Sequence, residues 1–375
     1  MFRRGSVVVV ACLALALTGC ASRARVQTGD EAHHHGNTTR RVDSSIPRDS
    51  SKVFRNDDAL FSYVTKYGLD QTIARLTELA RTEGDCHQPA HRAGRLAYEI
   101  HGAEAFRLQR LECHAGGLHG AIEAYFRSHG IADLAAESGQ ICPATLDDFR
   151  RSQCVHGIGH GLMAWSSYEL PDALKACDLL PRDRESCYTG VFMENIVGSL
   201  ASHHGTRAVK SAYLSDDPHF PCNSVAEPYV ASCYFLQTSR MVQLFGHNFA
   251  KVAATCATAP EPHRRVCFQS LGRDIGGIVG ANPAAAIKAC SPAPAGPLRT
   301  DCLLGAVQNT FWDAAGQTSA VQFCATLKDA GEKDACYRSI AARAFDLFGS
   351  SDRLKAFCQG IEAGYQGSCL QLVRE

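Results

Sequence analysis

Seven times along this chain of 375 residues a cysteine is followed by a second one ten to twelve positions later. The pairs are Cys142/Cys154, Cys177/Cys187, Cys222/Cys233, Cys256/Cys267, Cys290/Cys302, Cys324/Cys336 and Cys358/Cys369, and successive first cysteines lie 35, 45, 34, 34, 34 and 34 residues apart. A fixed period of this size marks a repeat protein, in which one small unit recurs and each copy buries its apolar face against the next. Regular cysteine pairs add an oxidising compartment, where disulfides form and persist. The expected fold is all-α, a solenoid of αα-hairpins of about 34 residues, each stapled by a local disulfide.

Each unit reads as helix, loop, helix. The runs Phe249 to Cys256, Pro283 to Cys290, Ser319 to Cys324 and Arg353 to Cys358 contain alanine and carry proline only at a start, which favours short helices. Loops with Pro260, Pro292, Gly331 or Gly364 follow, and the second cysteine is expected to open another helix. One position after it stand Tyr188, Tyr234, Phe268, Leu303, Tyr337 and Leu370; four positions after it stand Val191, Leu271, Ala306 and Ile340. That spacing buries one helix face. Gly246, Gly280 and Gly349 are placed to stop these helices.

The natural pairing joins the two cysteines of each loop into a ring of roughly a dozen residues, a constraint of roughly 3 kcal/mol apiece. Cys86 and Cys113 fall outside the rhythm and are paired by elimination. In repeat length and cysteine placement, residues 140 to 375 resemble the Sel1-like and tetratricopeptide α-solenoids, above all cysteine-rich secreted members in which a disulfide ties each helix pair.

The first residues give the compartment. Arg3 and Arg4 precede an apolar run, Val7 to Leu17, too short to span a bilayer, and Leu17-Thr18-Gly19-Cys20 closes it. This tetrapeptide resembles a bacterial lipobox, which implies a signal peptide over 1–19 and lipidation of Cys20. Removing Cys12 and lipidating Cys20 leaves 16 of the 18 cysteines, an even number for pairing. Ala21 is not acidic, which implies sorting to the outer membrane in a Gram-negative host, and otherwise the outer face of the cell membrane. Residues 20–52 read as the lipidated cysteine and a polar flexible tether containing His33, His34 and His35, and residues 53–375 as the repeat domain. Within that domain 86–165 is histidine-rich and 142–375 holds the regular repeats.

Lysine plus arginine equals aspartate plus glutamate, at 38 each, so no basic field exists for nucleic acid. Serine-hydrolase elbows, phosphate-binding loops, dinucleotide fingerprints, the His-Glu-x-x-His zinc motif and the c-type haem motif are all absent from the sequence.

Histidine is concentrated. Thirteen follow the tether, and His87, His91, His101, His114, His119, His129, His156 and His160 fall within one short stretch. His87/His91 and His156/His160 are i, i+4 pairs, and His119 stands four residues before Glu123. Counted from the helix-opening cysteine, His156, His160, His119 and Glu123 occupy positions two, six, six and ten, which form one stripe of a helix. In later repeats the sixth position reads Met193, Ser239, Arg273, Gln308 and Ala342, the variable polar character of a groove or solvent face. Imidazoles held i, i+4 present two nitrogens to one metal ion, and a carboxylate from the next helix supplies a third ligand or a general base. Zinc, copper and nickel suit that donor set. Gly157, Gly159 and Gly161 weaken the helix at the third histidine motif, which makes sense where a neighbour approaches closely or the chain is not helical. The long 45-residue step implies a loop insertion within Ser202–Pro221, carrying His203, His204, Asp216, Asp217 and His219.

Two functions follow as expectations. In one, an envelope lipoprotein holds a divalent transition metal on His119, His156, His160, His87 and His91, with Glu123 as catalytic base or ligand. In the other, the repeats form a non-catalytic scaffold tethered to the membrane, offering a face to an envelope protein, a peptide or a glycan.

Overall fold

The computed structural model describes residues 41–107, 110–197, 211–280, 282–312, 316–348 and 351–371. The signal segment, Cys20, the His33–His35 triplet, His203, His204 and Gly349 lie outside the described residues. Among the described residues the chain is all-helical and contains no strand.

Among the described residues sixteen α-helices follow in order. The first five are α1 (Asp57–Glu83), α2 (His87–His101), α3 (Gly116–His129), α4 (Leu134–Ile141) and α5 (Asp148–Trp165). Next come α6 (Leu170–Cys177), α7 (Arg184–Val197), α8 (Glu227–Leu244), α9 (Phe249–Ala257), α10 (Arg264–Val279) and α11 (Pro283–Ala289). The last are α12 (Pro297–Thr310), α13 (Gln317–Thr326), α14 (Ala330–Phe348), α15 (Ser351–Gly360) and α16 (Ala363–Gln371).

All eight expected disulfides are present. Cys86/Cys113, Cys142/Cys154, Cys177/Cys187 and Cys222/Cys233 are bonded, and so are Cys256/Cys267, Cys290/Cys302, Cys324/Cys336 and Cys358/Cys369. They tie near-regular helix pairs, with Cα–Cα separations between 5.2 Å and 5.9 Å. The cysteine sulfurs sit in the core rather than on it. Around them pack Tyr188, Tyr234, Phe268, Leu303 and Tyr337, each at most 5% exposed, which is the face that the repeat spacing assigned to burial. Helices α2, α3, α5, α7, α8, α10, α12 and α14 each pack on the next, α14 also touches α5, and the shorter helices α4, α6, α9, α11, α13 and α15 pack against their longer neighbours.

Several expectations need correction. The second cysteine of a pair does not open its helix. Cys154, Cys187, Cys233, Cys267, Cys302, Cys336 and Cys369 all lie inside α5, α7, α8, α10, α12, α14 and α16 respectively, three to six residues past the first helical residue. The loop residues themselves start the turn: Asp147 accepts from the Arg150 amide at 2.8 Å, and Pro297 occupies the first position of α12, where its missing N–H costs nothing. Each bridge therefore grips its second helix from within the first two turns, where the cysteine shares the buried face. Cys113 departs the other way. It precedes α3 in a left-handed run of Cys113, His114 and Ala115, with φ of 53°, 52° and 56°. Residues 41–52, which the sequence placed in the tether, are docked on α1. Ile46 is buried, Tyr67 Oη donates to its carbonyl at 2.8 Å, and Lys66 Nζ donates to the Ser44 carbonyl at 2.7 Å. Gly246 and Gly280 do follow the ends of α8 and α10, each at positive φ.

Early and late repeats also touch. His114 packs edge-on against Trp312 at 5.0 Å, Phe149 against the same indole at 5.5 Å, and the Arg343 guanidinium lies 3.9 Å above the Phe149 ring.

Candidate metal centre

The histidine stripe does not face solvent. His91 and His119 are 1% exposed, His160 2% and Glu123 4%, because α2, α3, α5 and α7 close around one another. Glycine permits this closeness. A Cβ on Gly120 would stand 2.0 Å from the His91 carbonyl oxygen, and one on Gly190 would stand 1.9 Å from that of His156. Gly157 leaves room for the central imidazole, since its Cβ would sit 2.9 Å from His119 Cδ2. The third histidine motif is therefore helical, and its glycines serve close packing.

The five histidines of the sequence reading, His87, His91, His119, His156 and His160, are brought together. His87 and His91 on α2 face each other with Nε2 atoms 3.2 Å apart, and His156 and His160 on α5 do the same at 3.2 Å. His119, on α3 between them, has its ring 5.2 Å to 5.8 Å from the other four. His101 and His129 stand apart, and His129 instead stacks on Tyr125 at 4.5 Å. His114 packs against Trp312 and lies 5.9 Å from His87. His219, in the insertion, bonds Tyr234 and Thr258 at 3.1 Å each.

The partners behind the rings fix which nitrogen carries a proton. His87 Nδ1 lies 2.9 Å from the Cys113 carbonyl, which only accepts, so Nδ1–H donates. The left-handed run at Cys113 turns that carbonyl toward the ring. His91 Nδ1 donates to Glu123 at 2.6 Å, and His160 Nδ1 donates to Glu194 at 2.8 Å. His156 Nδ1 lies 2.9 Å from the Thr189 hydroxyl, whose own proton goes to the Ser186 carbonyl at 2.8 Å, so His156 donates as well. His119 is turned round: Nε2 donates to the Gln153 carbonyl at 3.1 Å, and Nδ1 is buried without a hydrogen-bond partner. Every outer nitrogen is spoken for, and in the neutral rings every inner nitrogen is a lone pair.

Burial favours the neutral imidazole. It pushes His91 down to about 4 despite the Glu123 carboxylate beside it, and takes His119 and His156 well below the ordinary histidine value. His87 is lowered for the same reason. For Glu123, burial alone would raise the carboxyl, but the neighbouring His91 and Arg95 outweigh it and hold it well below the usual carboxylate range.

Glu123 also sits differently from the sequence reading. One oxygen accepts from His91 and the other from Arg95 at 2.6 Å, so it stands behind a ring rather than beside the inner nitrogens as a base. Carboxylates behind ligand histidines fix the tautomer and raise basicity.

Glu194, Thr189, Arg95 and Tyr168 were missed by the sequence reading. Tyr168 Oη donates to Glu194 at 2.7 Å, so the second carboxylate is held as firmly as the first. A signal existed: His160 and Glu194 are 34 residues apart, the repeat period, and His156 and Thr189 are 33 apart. Registering one repeat on the next would have paired them.

The ligand-type atoms gather in threes. His87, His91 and His119 lie within 4.8 Å of one another, as do His119, His156 and His160, and as do His91, Glu123 and His160. In the last group the Glu123–His91 contact is a hydrogen bond, which leaves the two histidine triads as the sets able to hold a metal ion. No known family, curated protein or solved structure matches this chain.

Proposed function

We propose that the protein binds a divalent transition metal, zinc, copper or nickel, in this buried histidine centre, and that it does so as a lipid-anchored protein of the cell envelope. The repeats would then act as an αα-hairpin solenoid, of Sel1-like or tetratricopeptide layout, that fixes the ligands. One observation carries the reading: two pairs of imidazoles aim lone pairs at each other across 3.2 Å while their other nitrogens are engaged as donors. Two facing lone pairs repel unless something positive lies between them. At metal–nitrogen distances near 2.0 Å, two tetrahedral ligands lie roughly 3.3 Å apart, which matches the spacing of each pair.

His87, His91, His119, His156 and His160 are the ligands in this proposal, and Glu123 and Glu194 orient His91 and His160. No general base is assigned, because Glu123 is engaged by His91 and Arg95. The reading is therefore one of binding. The scaffold alternative has no comparable observation behind it.

Metal analysis of protein purified without chelator or affinity resin tests the proposal. We expect at least one zinc, copper or nickel ion per chain, and a strong loss of it in His91→Gln and in His160→Gln while the far-UV spectrum stays helical. A helical, metal-free protein that does not take up these ions on dialysis would overturn it, and a proton shared within each pair would then be the occupant. For the anchor, Cys20→Ser is expected to release the chain from membranes, since a polar tether without acyl chains has no membrane affinity. Unchanged membrane retention would overturn that part.

A further inference from the structure

The arrangement of the five rings says more than that a metal fits. The two Nε2 pairs belong to different helices, α2 and α5, and α3 separates them. Rings of the two pairs approach each other at His91 and His160, 5.2 Å apart, and within the pairs the rings lie 4.5 Å and 5.0 Å apart. Each pair has its own anchoring. His87 and His91 are held by the Cys113 carbonyl and Glu123, and His156 and His160 by Thr189 and Glu194. One ion needs all its ligand atoms on a single small sphere, yet the all-histidine sets number two, with only His119 in common, and His91 and His160 meet within 4.8 Å only in the group they form with Glu123. His119 is also the ring whose buried Nδ1 lacks a hydrogen-bond partner.

From this geometry we infer that the centre holds two metal ions, one on His87 and His91 and the other on His156 and His160, with His119 between them in reach of both. The inference rests on the metal-centre reading above and deepens it. Two ions side by side need compensating negative charge, and the site supplies it: Glu123 and Glu194 stand one behind each pair, at 2.6 Å and 2.8 Å from His91 and His160. Each ion then keeps the same local chemistry, a histidine pair backed by a carboxylate from the next helix.

The test is a count. Chelator-treated full-length protein is titrated with cobalt(II), whose visible bands report tetrahedral nitrogen ligation. His33, His34 and His35 are replaced by alanine, so that the triplet does not add to the number. The expected end point is two equivalents. His87→Gln/His91→Gln is expected to take up one equivalent, and so is His156→Gln/His160→Gln, each with a helical far-UV spectrum. An end point of one equivalent in the protein with all five histidines intact would overturn the two-ion inference and leave the metal centre standing. An end point of zero would overturn both. The count on the protein with the intact centre needs no variant in the cluster to fold, so it decides the question alone.

Discussion

Helices α5 and α7 and helices α10 and α12 are built on one frame and filled with different chemistry. In the first pair a Cβ on Gly159 would meet the Cys187 carbonyl at 2.2 Å and one on Gly190 the His156 carbonyl at 1.9 Å. In the second pair Gly272 would meet the Cys302 carbonyl at 1.8 Å and Gly305 the Gln269 carbonyl at 1.9 Å. Counted from the bridging cysteines, His156 corresponds to Gln269, His160 to Arg273 and Glu194 to Asn309. Where the early repeats place facing lone pairs, the later ones place groups that satisfy each other. Gln269 donates to Gln308 at 3.1 Å, Gln308 to Ser339 at 3.1 Å, and Arg273 to Ser239 at 2.7 Å. Helix approach, set by cysteine and glycine, is thus encoded separately from what the touching faces do.

Substituting the frame itself would break both regions alike. Gly190→Ala and Gly305→Ala each push a methyl into a carbonyl and are expected to cost about 3 kcal/mol or more in urea unfolding. Only Gly190→Ala should also lose metal, because it separates His160 from Glu194. Equal metal loss in both variants would mean the two regions are not independent.

Acid should divide them next. The unfolded chain takes up protons on His91 near pH 6.5, whereas the folded site resists until about 4. Between those values the unfolded state binds more protons, so stability is complete above the upper value and falls as the pH drops through the window. For His91 alone the loss in chelated protein is about 3 kcal/mol. Hydrogen exchange at pH 5 is expected to loosen α2, α3 and α5 before α10 and α12; simultaneous loosening would count against the contrast. The smallest effect lies in the later repeats: Gln269→Ala should cost about 1 kcal/mol, the net worth of a hydrogen bond, and leave metal content unchanged. A fall in bound metal in that variant would tie the amide ladder to the centre.

Much of the framework was legible because it is local. Cysteines ten to twelve residues apart are well placed to bridge each other, and the apolar residue after the second cysteine, Tyr188, Tyr234, Phe268, Leu303 or Tyr337, marks the buried face. The same pattern misplaced the helix starts, since Cys233, Cys267, Cys336 and Cys369 mark where a helix enters the core and not where its first turn is nucleated. His87/His91 and His156/His160 were legible as local pairs too, being i, i+4 on single helices. What stayed hidden depends on how helices meet. Glu194 and Thr189 are ordinary surface-type residues until α7 closes on α5, and the burial of the stripe comes from neighbours rather than from its own period. The polar stripe read as a groove does become half-buried or exposed at Ser239, Arg273, Gln308 and Ala342, so the misreading was confined to the repeats where histidine replaces those residues. Residues 41–52 looked like tether because they hold little that is apolar; they are fastened by their backbone carbonyls to Tyr63, Tyr67, Lys66 and Arg75, which composition does not register.

The contact of Trp312 and Arg343 with His114 and Phe149 bears on the order of events when the chain is made. A ribosome delivers the histidine repeats well before the residues that cover their His114 edge. Contacts so distant in sequence close late, after local hairpins have formed. During that interval His114, 5.9 Å from His87, lacks the indole that later packs on it, and Phe149 lacks the guanidinium that later lies above its ring. In the finished protein that edge is closed by residues from a distant part of the chain, so metal exchange there should be slow while the late repeats are docked and quicken when they loosen.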